Sequence, residues 1–353
     1  MGTESIEASF LSIFALISFF IFLLVSKYSH KIRGGNLLDK DFLKPQAFHD
    51  HPITRSGGIA AVISLSFFFI IYYLLYSKIL YDYIFISYSV FLVGFLDDLK
   101  INIKPLKRLS VMIFLLFVSI YFLPIKILNI DIPILSSLMS NHIFSSIFVL
   151  LCFLFVINGA NLIDGFNGLL TINLIIINII LTYININNQN LEISILIISQ
   201  IIILLTFLLF NFPNSKIFLG DSGAYTMGAL TGLNTIITNN LNPKISSFFF
   251  CTLLFYLFFE VFFSFFRKLT QKKSPIYPDD KHLHMLSFYK ISSIYGKNKG
   301  NYLNSIFINL LYLVLIIPGF YILNDPQLSR YWFFILLLVY LIIYSRLYRL
   351  TKN

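Results

Sequence analysis

Charge is scarce in this chain. Of its 353 residues only 12% are Asp, Glu, Lys or Arg, while 58% are apolar. That excludes an ordinary soluble domain, and several apolar runs exceed the ~20 residues needed to cross a bilayer. Cysteine is scarcer still. Cys152 and Cys251 both fall inside apolar runs, as core-filling thiols would, and they lack the spacing of a metal site or a disulfide framework. The marks of a cleaved secretory leader are also missing. The first apolar run, Ala8 to Ser26, is preceded by Glu4 and Glu7 and by no Lys or Arg. It is followed by Lys27-Tyr-Ser-His30-Lys31, so it is expected to remain as a first helix. No internal repeat is evident.

What the chain does contain is eleven candidate spans, at 8–26, 57–76, 83–96, 109–123, 143–160, 168–184, 192–211, 222–238, 245–266, 303–323 and 331–347. They predict an all-α, polytopic helix bundle forming one membrane-embedded domain over 1–353. Five loops (27–56, 97–108, 158–168, 212–221 and 267–302) then share one side with the tail from 345. Those segments carry 22 of the 26 Lys and Arg residues, and the opposite side holds only Lys78, Lys126, Lys244 and Arg330. Basic segments stay cytoplasmic, so the N-terminus is expected outside and the C-terminus inside. The net charge of +10 follows from membrane insertion and requires no nucleic-acid partner. Five of the six histidines fall on the same side; only His142 does not.

Three acidic signatures close apolar runs on that side: Asp97-Asp98, Asn161-Leu-Ile-Asp164-Gly-Phe-Asn167-Gly168, and Phe218-Leu-Gly220-Asp221-Ser-Gly223. Carboxylates near hydrocarbon are costly and need a partner or a task. Adjacent Asp97 and Asp98 repel each other, and a divalent cation or the following Lys100, Lys104, Lys107 and Arg108 would relieve that repulsion. A pair capping the next helix is the plainer alternative. Asn161, Asp164 and Asn167 recur every three residues and would share one face of a helical turn. Caps account for one or two of these residues, but less readily for the whole polar cluster. The third signature has the form of a helix N-terminus with Asp221 or Ser222 as cap, a place where backbone N–H groups also suit an anion. His282 and His284 lie in Pro278-Asp-Asp-Lys281-His-Leu-His-Met285 and point the same way only if that segment is extended. They are too few for a zinc site, and with Lys281 they suit phosphate; a solvated basic loop is the competing account. Mg2+ takes one or two protein carboxylates and completes its shell with water and substrate phosphates. Acids, bases and histidines together on one membrane face therefore point to phosphoryl chemistry on a lipid-linked substrate.

These motifs resemble the polyprenyl-phosphate N-acetylhexosamine-1-phosphate transferases, from end to end. The resemblance rests on His51-Pro-Ile-Thr-Arg55-Ser-Gly57-Gly58, Gly94-Phe-Leu-Asp97-Asp98, Asn161-Leu-Ile-Asp164-Gly, Phe218-Leu-Gly-Asp221-Ser-Gly and Asp280-Lys-His282-Leu-His284, in that order on five loops. It implies transfer of a sugar 1-phosphate from a UDP-N-acetylhexosamine to undecaprenyl phosphate, releasing UMP, at the bacterial inner membrane with the site facing the cytoplasm. By this resemblance Asp221 and Asp98 would hold Mg2+, with Mn2+ as the alternative ion, and Asp97 would deprotonate or position the acceptor phosphate. Asp164 and Asn161 would contact the nucleotide, and His282 and His284 the donor diphosphate. Lys107 and Arg108 would bind the lipid phosphate, and such enzymes often pair as homodimers. Two departures stand out: Asn167 occupies a position where the family often has a second Asp, and Met285 one where it often has a third His. The two-histidine form and eleven spans favour a UDP-GlcNAc-type donor, with initiation of a surface glycan such as O-antigen. Loading of MurNAc-pentapeptide is the alternative within the family. A secondary transporter fits less well, because its binding residues would lie near the midplane rather than at the ends of the spans.

Overall fold

The computed structural model describes residues 2–35, 37–39, 52–101, 103–123, 125–274 and 279–352. His51 and residues 40–50 of the first loop lie outside them. The described chain is a helix bundle in this order: α1 (Gly2–Tyr28), α2 (Gly57–Tyr76), α3 (Tyr81–Asp98), α4 (Pro105–Phe122), α5 (Pro133–Leu138), α6 (His142–Ile163), α7 (Leu169–Asn187), α8 (Leu191–Asn211), α9 (Gly220–Leu241), α10 (Ser247–Leu253), α11 (Phe255–Thr270), α12 (Leu283–Tyr295), α13 (Lys297–Tyr321) and α14 (Pro326–Lys352). A two-stranded antiparallel sheet, β1 (Leu38–Asp39) with β2 (Ile53–Thr54), follows a 3-10 turn after α1.

Every predicted span is helical. Eight helices are long and apolar enough to cross a membrane, and the pair α10–α11 adds a ninth if it is counted as one span broken by a 74° bend. The two others, α3 and α9, are helices of another kind. Asp82, Asp97 and Asp98 reduce the apolar character of α3, and α9 is rich in Gly, Thr and Asn. The reason is position. Helix α9 runs through the centre of the bundle against α2, α3, α6, α7 and α8, and nearly every side chain from Ser222 to Asn239 is buried. A helix that meets other helices rather than lipid can use hydrogen bonds between spans. Gln200 on α8 and Asn178 on α7 both donate to Thr231 Oγ1, at 2.9 and 3.0 Å. Asn234 Nδ2 donates to Gln200 Oε1 at 2.8 Å, and its Oδ1 accepts from Tyr83 on α3 at 2.7 Å.

The segment between α11 and α13, expected as loop, contains the helix α12. Likewise α4 begins at Pro105, so Lys107 and Arg108 sit in its first turn rather than in a loop. Both cysteines are free, as expected, but the core-filling role is corrected for Cys251, which is exposed at the bundle surface; Cys152 is half-buried.

Helices α3 and α9 cross at Gly94, where an added Cβ would lie 2.5 Å from the Ser222 backbone. Overpacked sites typically lose ~1–3 kcal/mol. Gly94→Val is therefore expected to lower the thermal unfolding midpoint of the detergent-solubilised protein clearly, and Gly94→Ala less so. A midpoint unchanged in Gly94→Val would contradict this packing.

Candidate active site

The acidic signatures meet at one end of the bundle because three backbone segments are stitched together there. Thr54 pairs with Ile217, Phe218 N donates to Thr54 O at 2.8 Å, and Gly57 N and Gly58 N donate to the carbonyls of Phe218 and Leu219 at 2.9 and 2.8 Å. This draws the start of α2 onto the segment that opens α9.

The N-terminus of α9 has no side-chain cap of its own; Leu219 occupies the cap position. The expectation that Asp221 or Ser222 caps it is corrected here. The acceptor comes from α3: Asp98 Oδ1 takes the Asp221 N–H at 2.9 Å and Oδ2 the Ser222 N–H at 3.0 Å, with the Ser222 hydroxyl as a third donor. Asp98 is fully buried. A carboxylate against the first N–H groups of a helix is held both by hydrogen bonds and by the helix dipole. Gly220 makes room for it. Its φ is +76°, and a Cβ there would lie 2.7 Å from both Asp98 oxygens.

With Asp98 turned inward, Asp97 and Asp221 face each other across Arg108. Its Nη1 lies 2.7 Å from Asp97 Oδ2 and 2.9 Å from Asp221 Oδ2. Asp97, Asp221 and Arg108 keep partial exposure, with side chains 29%, 19% and 24% accessible, so this part of the site is open to a ligand. The Arg108 guanidinium also lies 6.0 Å from the Tyr225 ring. Tyr225 in turn shares a side-chain hydrogen bond with Asn161. Lys107, the neighbour of Arg108, is exposed.

The second signature, Asn161 to Gly168, does not form one helical face. Helix α6 ends at Ile163, Asp164 takes the C-cap position, and the chain turns before α7. Asn167 serves to hold that turn: its Nδ2 donates to Pro213 O at 2.8 Å and its N–H to Asn301 Oδ1 at 2.8 Å. Asp164 nevertheless joins the acidic group, because Asp221, Asp98 and Arg55 are the charges it feels. The Phe166 ring of the same turn packs on His284, 5.9 Å away, and ties the acidic cluster to the histidine segment. There His282 is extended at the cap of α12, and the two imidazoles lie parallel at 5.5 Å. An extended residue followed by the first helical turn is what aligns them. Lys281 Nζ lies 5.9 Å from the Tyr348 ring on α14.

Several residues outside the named set complete the site. Arg55, which is part of the first motif, forks onto Asp39 Oδ2 through Nε and Nη2 at 3.1 and 2.7 Å while acting on Asp221 and Asp98. Glu260 and Tyr256 on α11 bond to His282 and His284, and Tyr340 on α14 donates to Glu260. For Glu260 a signal was present in the sequence, since it is the lone acid in the run Phe255-Tyr-Leu-Phe-Phe-Glu-Val-Phe-Phe.

Burial pushes Asp98 up to about 7 and Asp221 up to about 6, helped by the charge of Asp221 on the first and of Asp97 on the second. Burial, with the charges of Asp221 and Asp98, raises Asp164 well above its ordinary value. His284 is driven down to about 3 by burial and is neutral at physiological pH. Four carboxyls thus share this end of the bundle with Arg108 and Arg55, and burial favours the protonated forms of Asp98, Asp164 and Asp221 until a cation takes the place of the protons. The donors there are carboxylate oxygens, which suit a hard cation. Among the described residues no three His, Cys, Asp or Glu side chains form a closed metal cage. One or two carboxylates with water and phosphate making up the shell is the arrangement Mg2+ uses.

Carboxyls raised in the folded state stabilise it fully below their unfolded value of about 3.8, and that contribution is lost as pH rises through about 6 to 7. In a chelator, the thermal midpoint is expected to fall from pH 5 to pH 8. Asp98→Asn, which keeps the shape and does not titrate, should show a shallower fall. Equal slopes would remove Asp98 from the effect.

The sequence profile described as "Glycosyl transferase family 4" matches residues 80–239, from the start of α3 almost to the end of α9. The undecaprenyl-phosphate alpha-N-acetylglucosaminyl 1-phosphate transferase of Thermotoga maritima is 28% identical over 279 residues, covering 78% of this chain and 80% of that one. The phospho-N-acetylmuramoyl-pentapeptide-transferase of Dictyoglomus turgidum is 31% identical over 237 residues, 63% of this chain and 73% of its own. The same enzyme of Streptococcus thermophilus is 27% identical over 227 residues, 60% and 66% of the two chains. The matched stretch contains Asp97, Asp98, Asn161, Asp164 and Asp221, the residues the fold gathers at one end, and the chain belongs to glycosyl transferase family 4.

Proposed function

We propose that this protein transfers N-acetylhexosamine 1-phosphate from a UDP-N-acetylhexosamine, UDP-GlcNAc foremost, to undecaprenyl phosphate at the cytoplasmic face of a bacterial inner membrane. An oxygen of the acceptor phosphate bonds to the β-phosphorus of the donor, the bond from that phosphorus to the bridging oxygen breaks, and UMP leaves with that oxygen. The product is a lipid-linked sugar diphosphate that would start a surface glycan. The observation that carries this reading is the meeting of Asp97 and Asp221 on Arg108, with Asp98 against the start of α9 and Asp164 within the field of Asp221 and Asp98, at the end of the bundle that also bears His282 and His284.

The side chains divide the work by charge. Phosphoryl transfer asks an enzyme mainly to position two polyanions and to neutralise charge spreading over phosphate oxygens. Arg108 brings a guanidinium between Asp97 and Asp221, where the two phosphates would meet. Asp97 orients the acceptor phosphate and takes any proton it carries. Asp221 would hold Mg2+ through its partly exposed oxygens, whereas Asp98, expected as a second ligand, has its oxygens taken by the α9 N-terminus and would support the site by keeping that terminus in place. When bound, the ion neutralises diphosphate oxygens as a Lewis acid. Asp164 and Asn161 receive the nucleotide, and His282, His284 and Lys281 the donor diphosphate. The apolar outer faces of the bundle let the prenyl chain stay in hydrocarbon while its phosphate reaches the site.

The alternative donor is UDP-MurNAc-pentapeptide. The paired rather than tripled histidines favour UDP-GlcNAc, and so does the longer stretch matched by the GlcNAc-1-phosphate transferase.

UMP release is expected from UDP-GlcNAc only with undecaprenyl phosphate and Mg2+ present. Offering UDP-MurNAc-pentapeptide in parallel decides the donor. Asp97→Asn and Asp221→Asn should each reduce turnover at least about 100-fold, with thermal midpoints near that of the parent; near-parental turnover in both would overturn the assignment. In the absence of substrate, millimolar Mg2+ should raise the thermal midpoint at pH 8 more than at pH 5, where the carboxyls already hold protons.

A further inference from the structure

Glu260 belongs to none of the five motifs, yet it is a fully buried carboxylate within the broken span α10–α11. An acid placed there is costly unless its lone pairs are filled. They are filled by the histidine segment. Glu260 accepts from His282 Nδ1 at 3.1 Å, from the Leu283 N–H at 3.0 Å and from the Tyr340 hydroxyl at 2.8 Å.

The rest of that helix face does the same. Tyr256, Glu260, Ser264 and Arg267 fall at spacings of four, four and three, which share one side of an α-helix. The Tyr256 hydroxyl meets His284 Nδ1 at 3.1 Å, and Arg267 grips Asp279 through Nη1 and Nη2 at 2.7 and 3.1 Å. Ser264 steadies Arg267 at 3.3 Å, and from α14 the Tyr344 hydroxyl holds the Lys281 carbonyl at 3.1 Å. Asp279, His282, Leu283 and His284 are thus bound along the α11 face, and Lys281 from α14. A neutral amide or hydroxyl would suffice to hold the Leu283 N–H. A carboxylate does more for His282, since a charge-assisted bond to Nδ1 fixes the ring orientation, while Asp279 Oδ1 lies 3.3 Å from Nε2 on the other side of the ring.

We propose that Glu260 is a positioning residue for the transfer reaction, acting through His282 to hold the two parallel imidazoles in register for the donor diphosphate. This deepens the reading above and rests on it. Removing an outer partner that orients a functional histidine commonly costs about 10- to 100-fold. Glu260→Gln is accordingly expected to lower kcat for UMP release by about that factor, with KM for the UDP-sugar changed less than about threefold. In a His282→Asn background the same substitution should cost less than about twofold, because the residue through which Glu260 acts is gone. An equal loss in both backgrounds, or full turnover of Glu260→Gln, would overturn the proposal. If Glu260→Gln does not fold, Glu260→Asp, which keeps the charge but shortens the reach to His282, carries the same comparison with the same outcomes. Imidazole 15N spectra of the full-length protein, assigned with His282→Asn, provide a readout independent of turnover. The hydrogen-bonded Nδ1–H signal of His282 should move in Glu260→Gln, and a signal left in place overturns the inference. A parent protein that releases no UMP from any UDP-N-acetylhexosamine would instead overturn the proposed function, and the spectra would still judge Glu260.

Discussion

The carboxylate of Asp98 against the first N–H groups of α9 is the contact on which the rest of this site depends. A buried anion at a helix N-terminus satisfies donors that have no intrahelical partner, and in a membrane bundle no water is available to replace it. The bond joins the end of α3 to the start of α9, and Gly94 and Gly220 leave the space that brings the two backbones together. Because Asp98 is committed inward, its neighbour Asp97 is left at the open face, opposite Asp221 and within reach of Arg108. Adjacent carboxylates thereby acquire different tasks from their environments alone.

The helix that carries Asp221 is held by a different principle from the lipid-facing helices around it. Helix α9 is surrounded by protein, and its polar side chains are matched across α3, α7 and α8. Such bonds specify register as well as adding stability, since a slip of one residue would leave amides unpaired in an apolar interior. A fixed register for α9 means a fixed position for its first turn, where the acids meet.

The histidine segment is built separately and joined afterwards. One face of α11 and Tyr344 of α14 hold residues 279–284, Tyr340 of α14 backs Glu260, and Phe166 from the turn after Asp164 closes the distance to the acidic cluster. The acidic and histidine halves of the site therefore rest on different helices. The 74° bend between α10 and α11 gives α11 a direction of its own.

Much of this was legible in the chain. Hydrophobic runs defined all eleven helical segments, because each apolar stretch must be buried in lipid or protein whatever its neighbours are. The acids and histidines were identifiable because polar residues at the ends of such runs are costly without a task. Other features were decided only by tertiary structure. Whether Asp98 or Asp221 caps α9 depends on a residue 123 positions away in the chain coming within hydrogen-bond distance, and local spacing carries no record of that. The helical face expected for Asn161, Asp164 and Asn167 was lost because α6 ends at Ile163 and Asn167 bonds to Pro213 and Asn301 instead. Glu260 was visible as a lone acid among aromatics, but its partners lie on two other segments. The sequence by itself determined which residues must leave the hydrocarbon; the packing of helices determined which of them meet, since only contacts between distant segments can match one charge to another.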